Sequence, residues 1–438
     1  EEESDQHTVW QLRAEKVLPG GRTLSASGGE NDFHGFMRFP FRLCKHLIRS
    51  DARSVALRLA SPRGGEGEWR LAASLDEREL TLLDNGAFER VELVPHPELT
   101  RTEVGLNLEA TGRAGPVRWV AGGEVRRIAA RSGAMLDGDL AEFLGAAFAQ
   151  GEWRVAPPLS LFAGLRLDTH YDANPALSPF AAVVWVPRPR HTLRLSFNLA
   201  HRFPNLYEGR LDYLQEGGNP LKAGRYQGDR DLDPEEVTTW EIGYRAGITP
   251  RLTLGVTAYL SEARDNIQMR FVGNFTASDG RILPHYRYAN VNDQRTLGWD
   301  AEAVWRPGPA WRLFANASQA RVEVSGEDLM GEEVLPDLTV NVGVGYRPVR
   351  GPFGRVVVHW VGPSDWRLPF YDDTSHRIEP QSRHLSSYTT VDVNLGTTAW
   401  EGRLVADLTL TNLLHDRHFE WVINEIDSRV LGRLTLRF

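Results

Sequence analysis

Apolar and polar residues alternate one by one along most of the chain. In one segment Leu193, Leu195 and Phe197 alternate with Arg194 and Ser196, and the same pattern returns from residue 252 to residue 260. A period of two is that of a β-strand with one apolar and one polar face. About nineteen segments carry it, near residues 8–17, 22–30, 53–61, 68–77, 101–111, 116–127, 142–155, 159–167, 179–186, 192–201, 235–247, 251–261, 294–306, 310–320, 336–347, 353–361, 388–396, 402–412 and 429–438.

Short and long connections alternate between these segments. The short ones are 62–67, 112–115, 187–191, 248–250, 307–309 and 397–401, and the long ones are 31–52, 202–234, 262–293, 321–335, 362–387 and 413–428. A soluble sandwich has no reason to place its long loops at one end of the strands. An outer-membrane barrel has short periplasmic turns and long extracellular loops, so the alternation favours a membrane barrel.

Six tryptophans lie near strand ends that join short turns, where a barrel carries its interfacial aromatic girdle. They are Trp69, Trp119, Trp153, Trp185, Trp305 and Trp311. Together with the loop alternation they predict a transmembrane antiparallel β-barrel in the bacterial outer membrane. Its strands must close so that no backbone edge meets lipid.

Composition narrows the picture further. The 438 residues have a net charge of −8, which gives no electrostatic reason to expect nucleic acid as a partner. Cys44 is the single cysteine, so neither an intrachain disulfide nor a cysteine-based zinc cluster can form. No apolar run reaches the roughly 20 residues of a membrane helix, and residues 1–5 do not read as a signal peptide. We expect residues 1–438 to form one barrel domain.

Several motifs, in order, resemble the TonB-dependent outer-membrane receptors. The pair Gly145–Trp153 and Leu161–Asp168 is similar to paired strands of that family. The most recognisable stretch follows, with Ala200–Glu208, Asn219-Pro220, Leu232–Glu235 and Trp240–Tyr244. Later similarities are Tyr259, Asp265–Ile267, Asn290-Val291, Gly298–Ala301, Thr411–Leu414 and the terminal Phe438. The resemblance implies a barrel of twenty-two strands around an N-terminal plug domain.

The chain departs from that family at its N-terminal side. No plug domain and no TonB-contacting box is visible, and six strands precede Phe143 where the family would have about nine. With nineteen alternating strands, Glu1 would also lie outside the cell. We therefore expect about three strands and the plug to be missing from this chain, the plug being encoded separately, lying on a segment outside this sequence, or lost.

Three clusters carry residues suited to chemistry, and each has a simpler interpretation. The run His415–His418 suits a metal or a base but follows a strand end that resembles an ordinary extracellular loop. Cys44 and His46 lack a second cysteine, and Tyr371–His376 is acidic enough for Ca²⁺ but is typical of a solvated loop. We predict no enzymatic activity, no metal site and no cofactor.

Ligand recognition is predicted in the long loops and the upper lumen, where guanidinium and phenol groups suit anionic or aromatic chelates. The candidate residues are Arg202, Tyr207, Arg210, Tyr213, Arg225, Tyr226, Trp366, Arg367 and Tyr371. The resemblance implies uptake of a scarce nutrient such as a ferric siderophore, with TonB acting through a plug and outer-membrane lipid around the barrel. Two alternatives stay open: a plug-less structural subunit bound to other envelope proteins, and an open diffusion pore.

Overall fold

The computed structural model describes residues 6–38, 45–62, 64, 67–82, 98–133, 136, 138–215, 224–278, 280–326, 335–372, 377–421 and 424–436. Most of them are in β-strands. In chain order the elements are β1 (Gln6–Val17), a 3₁₀ turn (Pro19–Gly21), β2 (Thr23–Arg38), β3 (Lys45–Ala60), β4 (Gly67–Leu82), β5 (Glu98–Ala114), β6 (Val117–Arg131), β7 (Leu140–Ala156), β8 (Leu159–Thr169), β9 (Ala176–Arg188), β10 (His191–Arg202), α1 (Leu206–Arg210), β11 (Asp212–Gln215), β12 (Gly224–Gln227), β13 (Glu235–Thr249), β14 (Leu252–Thr276), β15 (Ile282–Trp305), β16 (Trp311–Gly326), β17 (Thr339–Tyr346), β18 (Gly351–Val361), β19 (Ser364–Asp372), β20 (Arg377–Leu385), β21 (Tyr388–Ala399), a 3₁₀ turn (Trp400–Gly402), β22 (Leu404–Thr411), β23 (His418–Trp421), β24 (Asn424–Ile426) and β25 (Arg429–Leu436).

One large sheet holds 21 of these strands. Two of them, β11 and β12, lie in the loop between β10 and β13, and the other strands form the barrel wall. Each wall strand pairs antiparallel with the next, and β10 pairs with β13, β18 with β21 and β22 with β25. In the described part of the chain β1 pairs with β2 alone and β25 with β22 alone, so these are the edge strands. Every strand predicted from the alternation is present.

The register places the six tryptophans on one face of the wall. Paired residues of antiparallel strands point to the same side. Trp153 pairs with Val117 and Leu161, and Trp185 pairs with Leu159 and Leu193. Following the pairs from strand to strand gives the same face for Trp69, Trp119, Trp305 and Trp311. We call this the outer face and the opposite one, which carries Arg194, Ser196 and Asn198, the lumen face.

Large apolar side chains on the outer face are exposed, which marks the surface that contacts lipid. Leu106, Leu195 and Val256 are all about half exposed. On β14 the apolar outer positions run from Leu252 to Leu260 and end at Glu262. Nine residues at a rise of about 3.4 Å and a tilt of about 40° span roughly 20 Å, close to the apolar band of an outer-membrane barrel.

A second aromatic girdle lies on the outer face nearer the long loops, and the sequence analysis did not identify it. Its members are Trp10, Phe143, Phe197, Trp240, Trp299 and Trp360, which the strand pairing places on the outer face. Trp240 packs on Phe197 with ring centroids 4.6 Å apart. The apolar band is therefore bounded by aromatic rings on both sides, as at the two interfaces of a bilayer.

Two of the predicted long loops are wrong in part. Residues 31–52 and 262–293 were expected to be loops, but β2 runs to Arg38, β3 begins at Lys45, and β14 and β15 continue as a hairpin to Thr276 and Ile282. These strands continue beyond the apolar band, where the alternation of apolar and polar residues fades. Four further short strands, β19, β20, β23 and β24, form hairpins inside the long connections.

Some sequence-based expectations lie outside the described residues. They are the Asn219-Pro220 motif, the terminal Phe438, Cys44 and residues 373–376 of the acidic segment. Among the described residues, no helix combines the length and apolarity needed to cross a bilayer.

Candidate ligand-binding mouth and lumen

The connection between β10 and β13, which we call the mouth loop (residues 203–234), begins with a well-capped helix. Asn205 caps α1 because its side-chain oxygen accepts hydrogen bonds from the backbone N–H groups of Tyr207 and Glu208, at 2.9 and 3.1 Å. The Glu208 carboxylate accepts from the Asn205 N–H at 2.7 Å. This capping box gives a one-turn helix a defined start.

Arg202 joins the two ends of the mouth loop. Its guanidinium donates to the Glu208 carboxylate at 2.9 Å and to the Glu235 carboxylate, at the start of β13, at 2.6 Å. The two carboxylates are 10% and 13% exposed. Arg202 was predicted to bind ligand, and in the structure its charge is engaged by the protein.

Helix α1 reaches across the mouth to the lumen face of the opposite strands. Leu206 and Tyr207 pack against an apolar patch that we call the wall socket, formed by Ile48, Leu80, Leu99, Ala130 and Leu136. Ile48 is completely buried. Burial raises the pKa of the Tyr207 phenol, so this group stays neutral at physiological pH.

The far end of the mouth loop is attached to the extended hairpin. Strand β12 pairs parallel with β15, and Tyr226 stacks on Tyr286 with ring centroids 5.5 Å apart. Leu211, Tyr213 and Leu232 pack in the same cluster, with Ile267 and Met269. The mouth loop is thus held on two sides of the barrel, at β3–β6 and at β14–β15.

The structure brings six of the nine predicted site residues into or beside this loop. Arg210 donates to the Asp172 carboxylate at 2.9 Å and is 9% exposed. Tyr213 and Tyr226 pack in the apolar cluster, and Arg225 lies 3.3 Å from Asp212 and is 40% exposed. Trp366, Arg367 and Tyr371 lie on β19, outside the mouth loop. The ligand-binding role of all nine stays a prediction.

A partly buried histidine lies beside the mouth loop. His170 stacks on Phe203, with ring centroids 5.4 Å apart and planes 12° apart. Burial lowers the pKa of His170. The nearby Arg210 also lowers this pKa, whereas Asp172 raises it. The imidazole is therefore neutral at physiological pH.

The lumen face of β5, β6 and β8 carries three arginines and three carboxylates in one network. Arg166 donates to Asp168 at 2.9 Å and to Glu124 at 2.8 Å. Arg126 lies 3.6 Å from Glu103 and 3.7 Å from Glu124, and Arg101 pairs with Glu103. Ala146 on β7 faces Glu124 and Asp168, and its small side chain lets Arg166 reach across. We call this network the paired wall. Its three positive and three negative charges balance.

The lumen face of β16–β22 carries amides and hydroxyls instead. Asn341 donates to Asn316 at 2.7 Å, and its amide oxygen accepts from the His359 ring at 2.6 Å. Ser318 and Thr339 share a hydrogen bond of 2.6 Å, and Asn394 donates to Thr409 at 2.8 Å. We call this side the amide wall.

The two histidines proposed as a metal or catalytic pair do not converge. The His415 ring lies 3.0 Å from Asp427 and 3.0 Å from Ser428, both on the same nitrogen. The His418 ring is buried and stacks on Tyr388 with centroids 3.9 Å apart. Among the described residues no group of three or more metal-ligating side chains comes together.

A family model described as TonB-dependent receptor-like, β-barrel matches residues 96–413. An iron-regulated outer membrane virulence protein of Vibrio cholerae serotype O1 is 28% identical over 160 residues, which is 36% of this chain and 24% of that protein. The chain therefore spans about a quarter of the length of the curated relatives it matches.

Solved receptor structures have the same fold. The siderophore receptor PirA of Acinetobacter baumannii superposes with a TM-score of 0.80 at 14% identity, covering 99% of this chain and 71% of that one. A variant of the ferric enterobactin receptor PfeA of Pseudomonas aeruginosa gives 0.78 at 15% identity, covering 99% and 70%.

These matches confirm three predictions from the sequence: the transmembrane β-barrel fold, the location in the bacterial outer membrane, and a role other than that of an enzyme. The family model covers most of the chain, including the mouth loop and both lumen walls. The chain belongs to the TonB-dependent receptor-like β-barrel family.

Proposed function

We propose that this chain is the barrel of an outer-membrane receptor that takes up a ferric siderophore or a similar metal chelate. TonB supplies the energy by acting on a plug domain, which is a separate polypeptide or a segment outside this sequence. The family match supports this proposal, as do the titles of the similar structures, which name siderophore and ferric enterobactin receptors.

The observation that carries the proposal is a polar, water-accessible lumen behind an apolar outer wall. Arg118, Arg245 and Arg433 face the lumen with more than half of their side-chain surface exposed. A passage of this kind suits a hydrophilic cargo too large for general diffusion. The loop folded across the mouth is suited to select that cargo, and Arg225, which is 40% exposed, is the mouth-loop guanidinium best placed to meet it.

Uptake in cells tests the proposal. The complete gene is expressed in an iron-starved strain that lacks its own siderophore receptors, and uptake of radioactive iron is measured with a panel of ferric chelates. We expect uptake of at least one chelate, and its loss in a matched strain without TonB. No uptake of any chelate, or uptake that persists without TonB, would overturn the proposal.

The same cells separate the two alternatives. A diffusion pore predicts TonB-independent entry of many small solutes, and a structural subunit predicts stable envelope partners and no uptake. Co-purification of a plug polypeptide with the barrel supports the receptor.

A further inference from the structure

One carboxyl group on the lumen face is buried by this chain itself. Glu142 on β7 pairs with Ile128 on β6 and is 6% exposed. It directly precedes Phe143 of the second aromatic girdle, so it lies at the mouth end of the wall, beyond the apolar band. Within the described part of the chain, no hydrogen bond or ion pair reaches its carboxyl oxygens. Acidic side chains are rarely buried in this way without a partner.

The mouth loop covers Glu142. On the β5–β6 side of this residue, Leu206 of α1 packs against the wall socket. On the β8 side, Arg210, the last residue of α1, donates to the Asp172 carboxylate at 2.9 Å. Asp172 lies just beyond the end of β8, the strand that pairs with β7. Helix α1 therefore lies over Glu142 and separates it from the water in the lumen.

The charges around Glu142 do not neutralise it. The charged and titratable groups that surround it are Arg210 and Tyr207 on α1, Asp172 and His170 in the connection after β8, and Arg101 and Glu103 on β5. Arg210 is engaged by Asp172, and Arg101 by Glu103. Burial raises the pKa of Glu142, and the negative charge of Asp172 raises it further, whereas the two arginines lower it.

The two ends of the mouth loop are attached unequally. At the hairpin end, β12 pairs with β15 along three residues, and Tyr226 stacks on Tyr286. At the wall end, the backbone is joined by a single β-bridge between Leu136 and Leu211, and the remaining contacts are made by the side chains of α1. The wall end can therefore lift while the hairpin end stays in place.

We propose that Glu142 is a pH-sensitive switch that controls docking of the mouth loop on the wall. While the carboxyl group carries its proton, it stays buried and α1 is docked on the wall socket. When the proton passes to water, the carboxylate gains hydration only if α1 lifts, so ionisation opens the mouth on the side of β3–β7. The switch goes beyond the proposed uptake function, because it acts on the loop without any cargo.

The direction of the pH effect follows from the state that holds the proton more tightly. The pKa of Glu142 is raised while α1 is docked and returns to its ordinary value of 4.5 when α1 lifts. Docking is therefore strongest below about pH 4.5 and weakens as the pH rises through the raised pKa. His170 acts in the opposite sense, because burial lowers its pKa and its protonation in acid opposes docking. A His170→Phe background removes this second contribution.

The accessibility of the wall socket tests the switch. The purified full-length receptor carries Cys44→Ser, His170→Phe and a reporter cysteine, Leu99→Cys, and its labelling by a maleimide is measured in detergent from pH 5 to 8. The same protein with the reporter at Ser74, on the lumen face outside the socket, corrects each rate for the ionisation of the thiol. We expect the corrected rate to rise about threefold between pH 5 and pH 8, as α1 lifts more often.

Neutral variants identify the group responsible. Glu142→Gln keeps the shape of the protonated carboxyl and cannot ionise, so its corrected rate should stay at the pH 5 value throughout. Glu142→Leu should give the same flat profile. Glu241→Gln removes a lumen-facing carboxylate on β13 and should respond to pH like the parent protein. A parent protein without a pH response, or a neutral variant that responds like the parent, would overturn the switch.

The switch and the uptake function fail separately. Labelling of the socket needs no chelate, so a missing pH response overturns the switch and leaves the receptor function in place. An absence of chelate uptake in cells, with the pH response of labelling intact, overturns the receptor function alone.

Discussion

The two sides of the lumen differ in the polar groups that line them. On the side of β3–β8, the lumen face carries the wall socket that holds the mouth loop and the paired wall, whose three arginines and three carboxylates cancel. On the side of β16–β22, amides and hydroxyls bond to each other, the carboxylates Asp392 and Asp407 lie beside His359 and Arg433, and among the described residues Arg312 and Arg355 contact a ring and no carboxylate.

Whether a lumen-facing charge is already paired decides whether it stabilises the wall or remains able to bind another molecule. A charge that is already neutralised stabilises the wall and offers little to a passing anion, whereas an unpaired guanidinium in a wet lumen is free to bind one. Tyr207 and Arg202, two of the predicted ligand-binding residues, contact protein partners in the mouth loop and the wall socket, and their binding role stays a prediction.

Removing the wall socket should have the largest effect. Ile48→Asp places a carboxylate in a fully buried apolar site, which costs about 3 kcal/mol of docking free energy and releases α1. A reporter cysteine, Leu99→Cys in a Cys44→Ser background, should then react with a maleimide about tenfold faster, because Leu99 is 6% exposed when α1 is docked. Ser74→Asp, at a lumen-facing position outside the socket, is the control. Equal labelling in both variants would show that the socket does not hold the loop.

Removing Arg202 should have the next largest effect. Arg202→Ala leaves two mostly buried carboxylates, Glu208 and Glu235, without their shared partner, and we expect a loss of about 2 kcal/mol in unfolding free energy. Arg194→Ala is the matched control, since Arg194 lies 3.8 Å from Glu241 and both are more exposed. Thermal unfolding in detergent, followed by circular dichroism, measures both. If Arg202→Ala lowers the unfolding temperature no more than Arg194→Ala, the bridge from Arg202 to Glu208 and Glu235 does not stabilise the protein.

Substitutions on the two walls compare them directly. Arg166→Gln should lower the unfolding free energy by about 1 kcal/mol, because Glu124 and Asp168 lose a common partner at a partly exposed site. Arg312→Gln should leave stability unchanged, because it breaks no ion pair among the described residues. If urea titrations of the refolded barrel give equal losses, the distinction between the walls is wrong.

Acidification should have the smallest effect. The pKa of His170 is lowered in the folded protein, so the unfolded chain takes up a proton first, below about pH 6.5, and the folded state loses stability as the pH falls further. His170→Phe keeps the stack on Phe203 and removes the titrating group, so the unfolding temperature of this variant should depend less on pH between 7.5 and 5. The same pH dependence in both proteins would exclude His170 as its source.

Much of the wall could be predicted from local pattern because each strand meets lipid on one side and water on the other. The run from Leu252 to Leu260 shows this period of two without any knowledge of its neighbours. Beyond Glu262 one side of the hairpin packs on the mouth loop through Ile267 and Met269, so the alternation set by lipid and water fades, and the continuation of β14 to Thr276 was missed. Bulges near Asp265, which has a positive φ of 57°, disturb the period further.

The candidate site was harder to predict because its contacts are long-range. Tyr207 and Tyr226 were chosen for their phenol groups, but Tyr207 packs on Ile48 and Leu80, and Tyr226 on Tyr286. Ile48 itself fell within a predicted loop. Arg312 and Arg355 were not singled out at all, although their places among the alternating polar positions indicated that both face the lumen.

By itself the sequence determined the all-β class, the strands, the ends that carry short turns, and the family, because these follow from side-chain alternation and local motifs that each strand carries alone. Tertiary structure decided where the mouth loop is held and which charges neutralise one another. Those outcomes depend on the register between strands far apart in the chain, and a shift of one residue would turn every side chain to the other face.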